Sequence, residues 1–265
     1  MGPSVIALIS DLGAKDYFVG AMKGTILSIN SNAKIVDITH EVARHDVRAA
    51  AFALASAANA FPEGTIFIAV VDPGVGTKRR CILLQTKNGL FFIGPDNGVV
   101  TLVAERFGVA KIYEITNKAL MNRDISPTFH GRDIMAPVAA HLSLGIKPSE
   151  VGPEIKTIKS IEIPHPRLTQ SELSGHILNV DNFGNLVTNI DAATALRFAK
   201  VGEALKVKID EKVLEVKFAR TFGDVTAGER MCFIGSASTL EFARNMGNLA
   251  GELKVKIGDE FIIQR

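Results

Sequence analysis

Thr65-Ile66-Phe67-Ile68-Ala69-Val70-Val71 is an unbroken apolar run that stops directly on Asp72-Pro73-Gly74. Such a run, rich in β-branched residues and closed by a Pro-Gly turn, reads as a strand buried on both faces, as in a parallel sheet. The pattern recurs upstream. Val5 to Ile9 is another continuous strand, ending at Ser10-Asp11-Leu12-Gly13, and Lys34 to Ile38 is a third, followed by Thr39-His40. Between them lie two helical stretches. Tyr17 to Ile29 carries Phe18, Met22, Ile26 and Ile29 on one face, and the Ala-rich Asp46 to Ala60 is closed by Phe61-Pro62-Glu63-Gly64. Strand, helix, strand, helix, strand predicts parallel pairing through right-handed crossovers. Ligands of such sheets bind outside the carboxyl ends of the strands. Asp11, His40 and Asp72 each follow one of those ends and are expected to converge on one edge of the sheet. A single Asp after a strand is ordinarily a helix cap; several at corresponding positions point to a site.

Downstream the character changes near residue 164. Ile163-Pro164-His165-Pro166 breaks the alternation of strands and helices. Closely spaced short strands follow: His176 to Val180 and Leu186 to Ile190 around Asn182-Phe183-Gly184-Asn185, then Leu205 to Ile209 and Val213 to Phe218 around Asp210-Glu211-Lys212. A third hairpin is expected from Leu253 to Ile257 and Glu260 to Gln264, turning at Gly258-Asp259. This spacing suggests a small antiparallel barrel or sandwich. The expected organisation is an α/β domain over residues 1–164, with a mainly parallel central sheet, followed by an all-β domain over residues 165–265.

Composition narrows the function. Of 265 residues, 47% are hydrophobic and 22% charged, which excludes disorder, and a chain this long buries a core without metal or disulfide staples. A net charge of +2 gives no drive toward a phosphate backbone or an anionic membrane, and with no Trp and 2 Tyr a base-stacking surface is poorly supplied. Cys81 and Cys232, far apart and outside any CxxC or Cys/His spacing, read as reduced, buried thiols rather than zinc ligands. Met1-Gly2-Pro3-Ser4 gives the first apolar run no basic flank, and that run is too short for a signal peptide or a membrane span. A cytoplasmic protein is expected.

The residues suited to chemistry are few. Asp72-Pro73-Gly74-Val75-Gly76-Thr77 lacks the GK[ST] of a phosphate-binding loop and leads through Lys78-Arg79-Arg80 into another strand, Cys81 to Leu84. It reads as a tight loop holding Asp72 near Arg79, although an Arg pair at the start of a strand is commonly solvated. His130, in Phe129-His130-Gly131-Arg132-Asp133, precedes a helical stretch from Ile134 to Leu144 that begins or kinks at Pro137. A helix N-terminus disfavours imidazolium there. His141 and His176 read as packing residues.

Five motifs occur in order: Ser10-Asp11-Leu12-Gly13, Asp72-Pro73-Gly74-Val75-Gly76 with Arg79, Gly94-Pro95-Asp96-Asn97-Gly98, Phe129-His130-Gly131-Arg132-Asp133, and Asp181-Asn182-Phe183-Gly184-Asn185. Together, and over nearly the whole chain, they resemble the S-adenosylmethionine hydrolases (S-adenosylmethionine hydroxide adenosyltransferases), relatives of the fluorinating and chlorinating enzymes. The resemblance implies an N-terminal α/β domain, a C-terminal β-barrel, and a homotrimer with sites between neighbouring subunits. It also implies conversion of S-adenosylmethionine and water to adenosine and methionine, with no metal and no cofactor. It places Asp72, Arg79 and His130 in a triad that positions and activates water. Asp11 is implied for the ribose hydroxyls, and Asp181 and Asn185 for the methionine end and its surroundings. Phe222 is implied against adenine, and Ser236 and Glu241 at the amino-acid end. Asp16 and His45 fall in matching regions and read equally well as surface residues. Where the halogenating relatives carry Tyr, this chain has Asp72, and the hairpin Gln85-Thr86-Lys87-Asn88-Gly89 is short. Both features point to water, not halide, as nucleophile.

Two other readings compete. A metal-dependent phosphohydrolase would use Asp11, Asp72, His130 and Asp133 as ligands, with Arg79 a poor neighbour for a cation. A non-catalytic sensor of S-adenosylmethionine or adenosine would use the same fold without turnover.

Overall fold

The structure is a computed structural model that describes residues 5–265; Met1 to Ser4, read above for a signal-peptide flank, lie outside the described residues. The backbone forms two compact units, the first ending at Ile161 and the second running Glu162–Arg265.

The first unit contains β1 (Val5–Ser10), α1 (Phe18–Ile29), β2 (Lys34–Thr39), α2 (Val47–Ala58), β3 (Ile66–Val70), β4 (Cys81–Thr86), β5 (Phe91–Pro95), α3 (Thr101–Phe107), β6 (Val109–Glu114) and α4 (Ala136–Ser143). Its sheet has the order β2-β1-β3-β5-β4-β6. The first four strands in that order run parallel, and β4 is antiparallel to both of its neighbours. The apolar runs are continuous because both faces are covered. Ile6, Leu8, Ile66 and Ile68 pack with Met22 and Ile26 of α1 and Val138 of α4, whereas Ala7, Ile9, Phe67 and Ala69 pack with Leu54 of α2 and Val103 of α3. Each fully buried Ile, Leu or Phe contributes about 1.5–3 kcal/mol relative to exposure. Phe67 and Phe92 add a stacked pair across β3 and β5, with centroids 4.7 Å apart. Helix α2 starts where Asp46 Oδ1 accepts the Ala49 N–H at 2.9 Å.

The second unit contains β7 (Arg167–Leu168), β8 (Glu172–Val180), β9 (Leu186–Asp191), α5 (Ala192–Phe198), β10 (Ala204–Ile209), β11 (Lys212–Phe218), β12 (Arg230–Ile234), β13 (Thr239–Arg244), α6 (Leu249–Leu253) and β14 (Glu260–Gln264). The order β14-β10-β11-β12-β13-β9-β8-β7, with β14 also paired to β8, closes a mainly antiparallel seven-stranded barrel with β7 at its rim. Closure leaves no open edge among those seven strands. Strict alternation on β10 and β11 turns Leu205, Val207, Ile209, Leu214, Val216 and Phe218 inward, where they meet Phe242 and Phe261. The fold is therefore an α/β unit followed by a β-barrel.

One expected hairpin does not form. Leu253 to Ile257 is not a strand; Leu249–Leu253 is a short helix begun by Asn248, whose Oδ1 accepts the Gly251 N–H at 2.6 Å, and stopped by Lys254 at φ 56°. The alternation of Leu253, Val255 and Ile257 suggested a strand, but the pair that buries deepest, Leu249 and Leu253, has helical spacing. Strand β14 pairs instead with the distant β8 and β10. Among the described residues no helix is long and apolar enough to cross a membrane.

Candidate active site

Residues 71–80 link β3 to β4 across the end of the sheet, placing Asp72 at one end of the loop and Arg79 at the other. Their side chains are 6% and 7% exposed, so the Arg pair is not solvated as a pair: Arg79 turns inward while Arg80 stays partly open. Arg79 Nε donates to Asp72 Oδ1 at 3.0 Å and Oδ2 at 2.9 Å, and Nη2 also donates to Oδ2. The same Nη2 lies 2.6 Å from His130 Nδ1. A guanidinium only donates, so Nδ1 accepts and the proton of the neutral ring is on Nε2. Burial first, and the Arg79 charge second, hold the imidazole below its ordinary value of 6.5, with Asp72 and Asp133 opposing.

Two glycines make this closeness possible. Gly76 has φ +78°, and a Cβ there would lie 2.7 Å from the Pro127 carbonyl oxygen, so the loop bearing Arg79 presses directly on the loop leading to His130. Gly131 lets the chain after His130 pack on Val70 and Met22, with an added Cβ only 3.1–3.3 Å from their side chains. His130 thereby stands beside the end of β3, two residues from Asp72. It begins a π-helical turn, Gly131–Met135, that runs into α4, earlier than the expected start at Ile134. Asp133, 1% exposed, organises the preceding loop. It accepts Ser126 N–H and Asn122 Nδ2 at 2.9 Å, with Arg132 Nε at 2.7 Å, and these donors outweigh burial and hold its carboxyl below 3.8.

Asp11 follows β1, and its Oδ2 accepts the His45 N–H at 2.8 Å. His45 takes a left-handed φ of 66°, unusual for a residue with a side chain, and that turn aims its N–H at Asp11. Asp11 lines an open cavity of about 400 Å³ together with Asp16, His40, Glu41 and Arg44. His40 reaches this cavity but is 9% exposed; its Nδ1 is 2.7 Å from Ser10 Oγ and its Nε2 3.1 Å from Asp37 Oδ1, so both ring nitrogens face residues of the sheet. The four residues of the metal-ligand reading are otherwise engaged: Asp72 by Arg79, His130 by Arg79, Asp133 by Arg132, Asp11 by His45. Among the described residues no three His, Cys, Asp or Glu gather as a metal centre.

In the second unit, the remaining expected residues lie on the β8–β9 turn, on β13 and in the segments before and after β12. Asp181 locks the β8–β9 turn: Oδ1 accepts Phe183 N–H and Asn185 N–H at 2.9 and 2.8 Å, and Oδ2 accepts Asn185 Nδ2 at 2.7 Å. Glu241 on β13 is 8% exposed and pairs across the sheet with Phe233 of β12 and Val187 of β9. No described residue donates a hydrogen bond to its carboxylate. Burial, reinforced by the Asp181 charge, pushes it up to about 7. Gly235 explains how a carboxylate fits there, since a Cβ at that position would lie 1.8 Å from Glu241 Oε1. Ser236, next in the β12–β13 turn, is exposed. Phe222, 37% exposed, leans on Phe233 with centroids 5.0 Å apart, leaving part of its ring uncovered. Asp16 is exposed and lies at the cavity of Asp11. Sequence reasoning missed the His45 N–H, Gly235 and Phe233. Only backbone conformation and cross-strand register reveal them.

The chain is similar to known proteins over nearly its whole length. Residues 6–152 match the family described as SAM hydroxide adenosyltransferase N-terminal domain, and residues 175–262 match its C-terminal domain. A protein of Salinispora tropica named (R)-S-adenosyl-L-methionine hydrolase is 38% identical over 96% of this chain and 95% of its own length. A fluorinase of Actinoplanes sp. is 31% identical over 97% of this chain and 96% of its own. The crystal structure of an uncharacterized conserved protein from Thermotoga maritima superimposes with a TM-score of 0.96 at 42% identity, covering 98% of this chain and 100% of that one.

Proposed function

The chain belongs to the S-adenosylmethionine hydroxide adenosyltransferase family, and from that membership we propose that Asp72, Arg79 and His130 hold the water or hydroxide with which it hydrolyses S-adenosyl-L-methionine to adenosine and L-methionine. The oxygen forms a bond to ribose C5′ as the C5′–S bond breaks in line. The bonding pair leaves with sulfur as the neutral thioether of methionine, and one proton passes to solvent. A sulfonium leaves without help from an acid or metal, so the task is to present an oxygen nucleophile in line. The observation that carries this reading is the single guanidinium shared by Asp72 and His130. With Nδ1 occupied by Arg79, His130 has an Nε2–H to donate and no free lone pair to act as base. The cluster therefore favours hydroxide through charge and a fixed donor, while Asp72 fixes the guanidinium. Alignment supplies several kcal/mol, within the roughly 7–11 available from orientation.

An ionised carboxylate at Asp72 repels a halide, which separates this chain from its fluorinating relatives. Asp11 offers a carboxylate oxygen without a protein donor to the ribose hydroxyls. Asp181 and Asn185 bind near the methionine end, Phe222 packs on adenine, and Ser236 and Glu241 bind the amino-acid end. A buried carboxylate with no donor is a fitting partner for an α-ammonium. The active assembly is a homotrimer in which the triad of one copy meets the barrel residues of its neighbour. Buried, reduced Cys81 and Cys232, with thiols pushed up to about 12, suit a cytoplasmic setting. The test is chromatography of S-adenosylmethionine incubated with purified protein. Adenosine and methionine should appear at the same rate with EDTA, and adenosine should remain the product in excess chloride. Activity lost to chelation and restored by Mg²⁺ would favour the phosphohydrolase, and binding without turnover the sensor.

A further inference from the structure

The motif Gly94-Pro95-Asp96-Asn97-Gly98 has no part in the water-activating cluster, yet both of its polar side chains reach the loop that carries Asp72 and Arg79. Strand β5 lies between β3 and β4, so its end is directly beneath the 71–80 loop. On one side, Asn97 Nδ2 donates to the Val71 carbonyl at 2.9 Å, the peptide that leads into Asp72. On the other, Asp96 Oδ2 accepts Arg80 Nε at 2.9 Å and Nη2 at 2.5 Å, and the Asp96 N–H donates to the Arg80 carbonyl at 2.9 Å. Arg80 is the residue after Arg79. The remaining capacity is taken as well: Asp96 Oδ1 accepts Lys159 N–H at 2.7 Å and Asn97 Oδ1 accepts Val99 N–H at 3.1 Å. Asp96 is 2% exposed, with its carboxylate held by Arg80 and by the Lys159 N–H.

We infer that Asp96 and Asn97 are positioning residues for the hydrolysis: consecutive side chains at the end of β5 pin both ends of the loop that carries Asp72 and Arg79, and so hold the Arg79 guanidinium on His130. The loop needs such pins because Gly74 and Gly76 give it freedom between its ends. A misplacement of about 1 Å in a reacting constellation can cost on the order of 100-fold in rate. Neither residue touches reacting atoms; they act through Arg79.

This rests on the proposed triad, and the test separates the two. Asn97→Ala removes one pin, and Arg80→Lys keeps the charge of the other while losing its bidentate fork; Arg80 is partly exposed, so that variant is the one more certain to fold. Both should lower kcat about 10- to 100-fold, with KM changed less than about threefold. NMR titration of the His130 ring, which needs no turnover, should show its pKa rising toward the ordinary histidine value as the Arg79 charge moves away. Loss of melting temperature with unchanged kcat and an unmoved His130 titration in the folded Arg80→Lys protein would overturn the clamp. A wild-type protein that fails to hydrolyse S-adenosylmethionine, while His130 still responds to both variants, would overturn the functional reading and leave the clamp standing.

Discussion

At the scale of the residue, burial and then the Arg79 guanidinium keep His130 neutral, and the pH dependence of turnover follows. Protonating the ring would remove the Nδ1 acceptor and place two cations 2.6 Å apart. Activity should therefore need neutral His130. Since the folded value lies below 6.5, the rate should stay level as pH falls through 6.5 and drop only below it. Arg79→Lys should lower kcat at least 10-fold by losing the fork. Any residual activity should show an acid limb governed by a changed His130 environment. A wild-type limb above pH 7 in kcat would show that another group governs the rate. Glu241 carries the opposite sign. Its folded value of about 7 exceeds the 4.5 expected when unfolded, so its ionisation opposes folding; this stability is present below about pH 4.5 and lost as pH rises toward 7. Glu241→Gln should thus stabilise the protein at pH 8 by about 1–2 kcal/mol, allowing for partial solvent screening, read as a higher Tm. The same change should raise KM for S-adenosylmethionine, because the buried cation partner is gone. A variant that gains no stability and binds normally would remove Glu241 from the site.

At the scale of the element, tight turns rather than strands place the chemistry. Gly235 is a direct case. Its missing side chain is occupied by the Glu241 carboxylate, and its backbone needs no glycine for other reasons, since it is not among the residues at positive φ. Gly235→Ala should fold, displace the flexible end of Glu241, and raise KM in the manner of Glu241→Gln while leaving kcat within about threefold. An unchanged KM would place the ammonium partner elsewhere. The strands themselves were legible: apolar runs gave β1, β2 and β3, and alternation gave the β8–β9 and β10–β11 hairpins. The helix at Leu249–Leu253 was not, because Leu253, Val255 and Ile257 alternate like a strand and only packing identifies Leu249 as their partner in the core. The π-helical turn after His130 has no sequence mark either. From residues alone, Asp11 and Asp72 were visible as strand-end carboxylates. Arg79 read as solvated, since its burial depends on how the glycine-bearing loop folds back. The grouping of Asp72, Arg79 and His130 as the proposed triad came from the ordered motifs of the family, and the work of Asp96 and Asn97 is tertiary.

At the scale of the molecule, the proposed residues divide between the units: Asp11, Asp72, Arg79 and His130 in the first, Asp181, Asn185, Phe222, Ser236 and Glu241 in the second. A closed trimer with shared sites makes that division testable by mixing. Asp72→Asn disables the first unit and Asn185→Ala the second, and each homotrimer alone should be nearly inactive. When the two are unfolded together in equal amounts and refolded, random assembly gives each interface about a one-in-four chance of joining two intact halves. The refolded mixture, its mixed trimers confirmed by native mass spectrometry with a mass tag on one variant, should recover about a quarter of wild-type turnover. If both halves of a site come from one chain, no mixture contains an intact site, and recovery should be absent however well the trimers mix. A chain that stays monomeric while hydrolysing S-adenosylmethionine at full rate would also exclude the shared site, leaving the triad chemistry to stand on the first unit's own geometry.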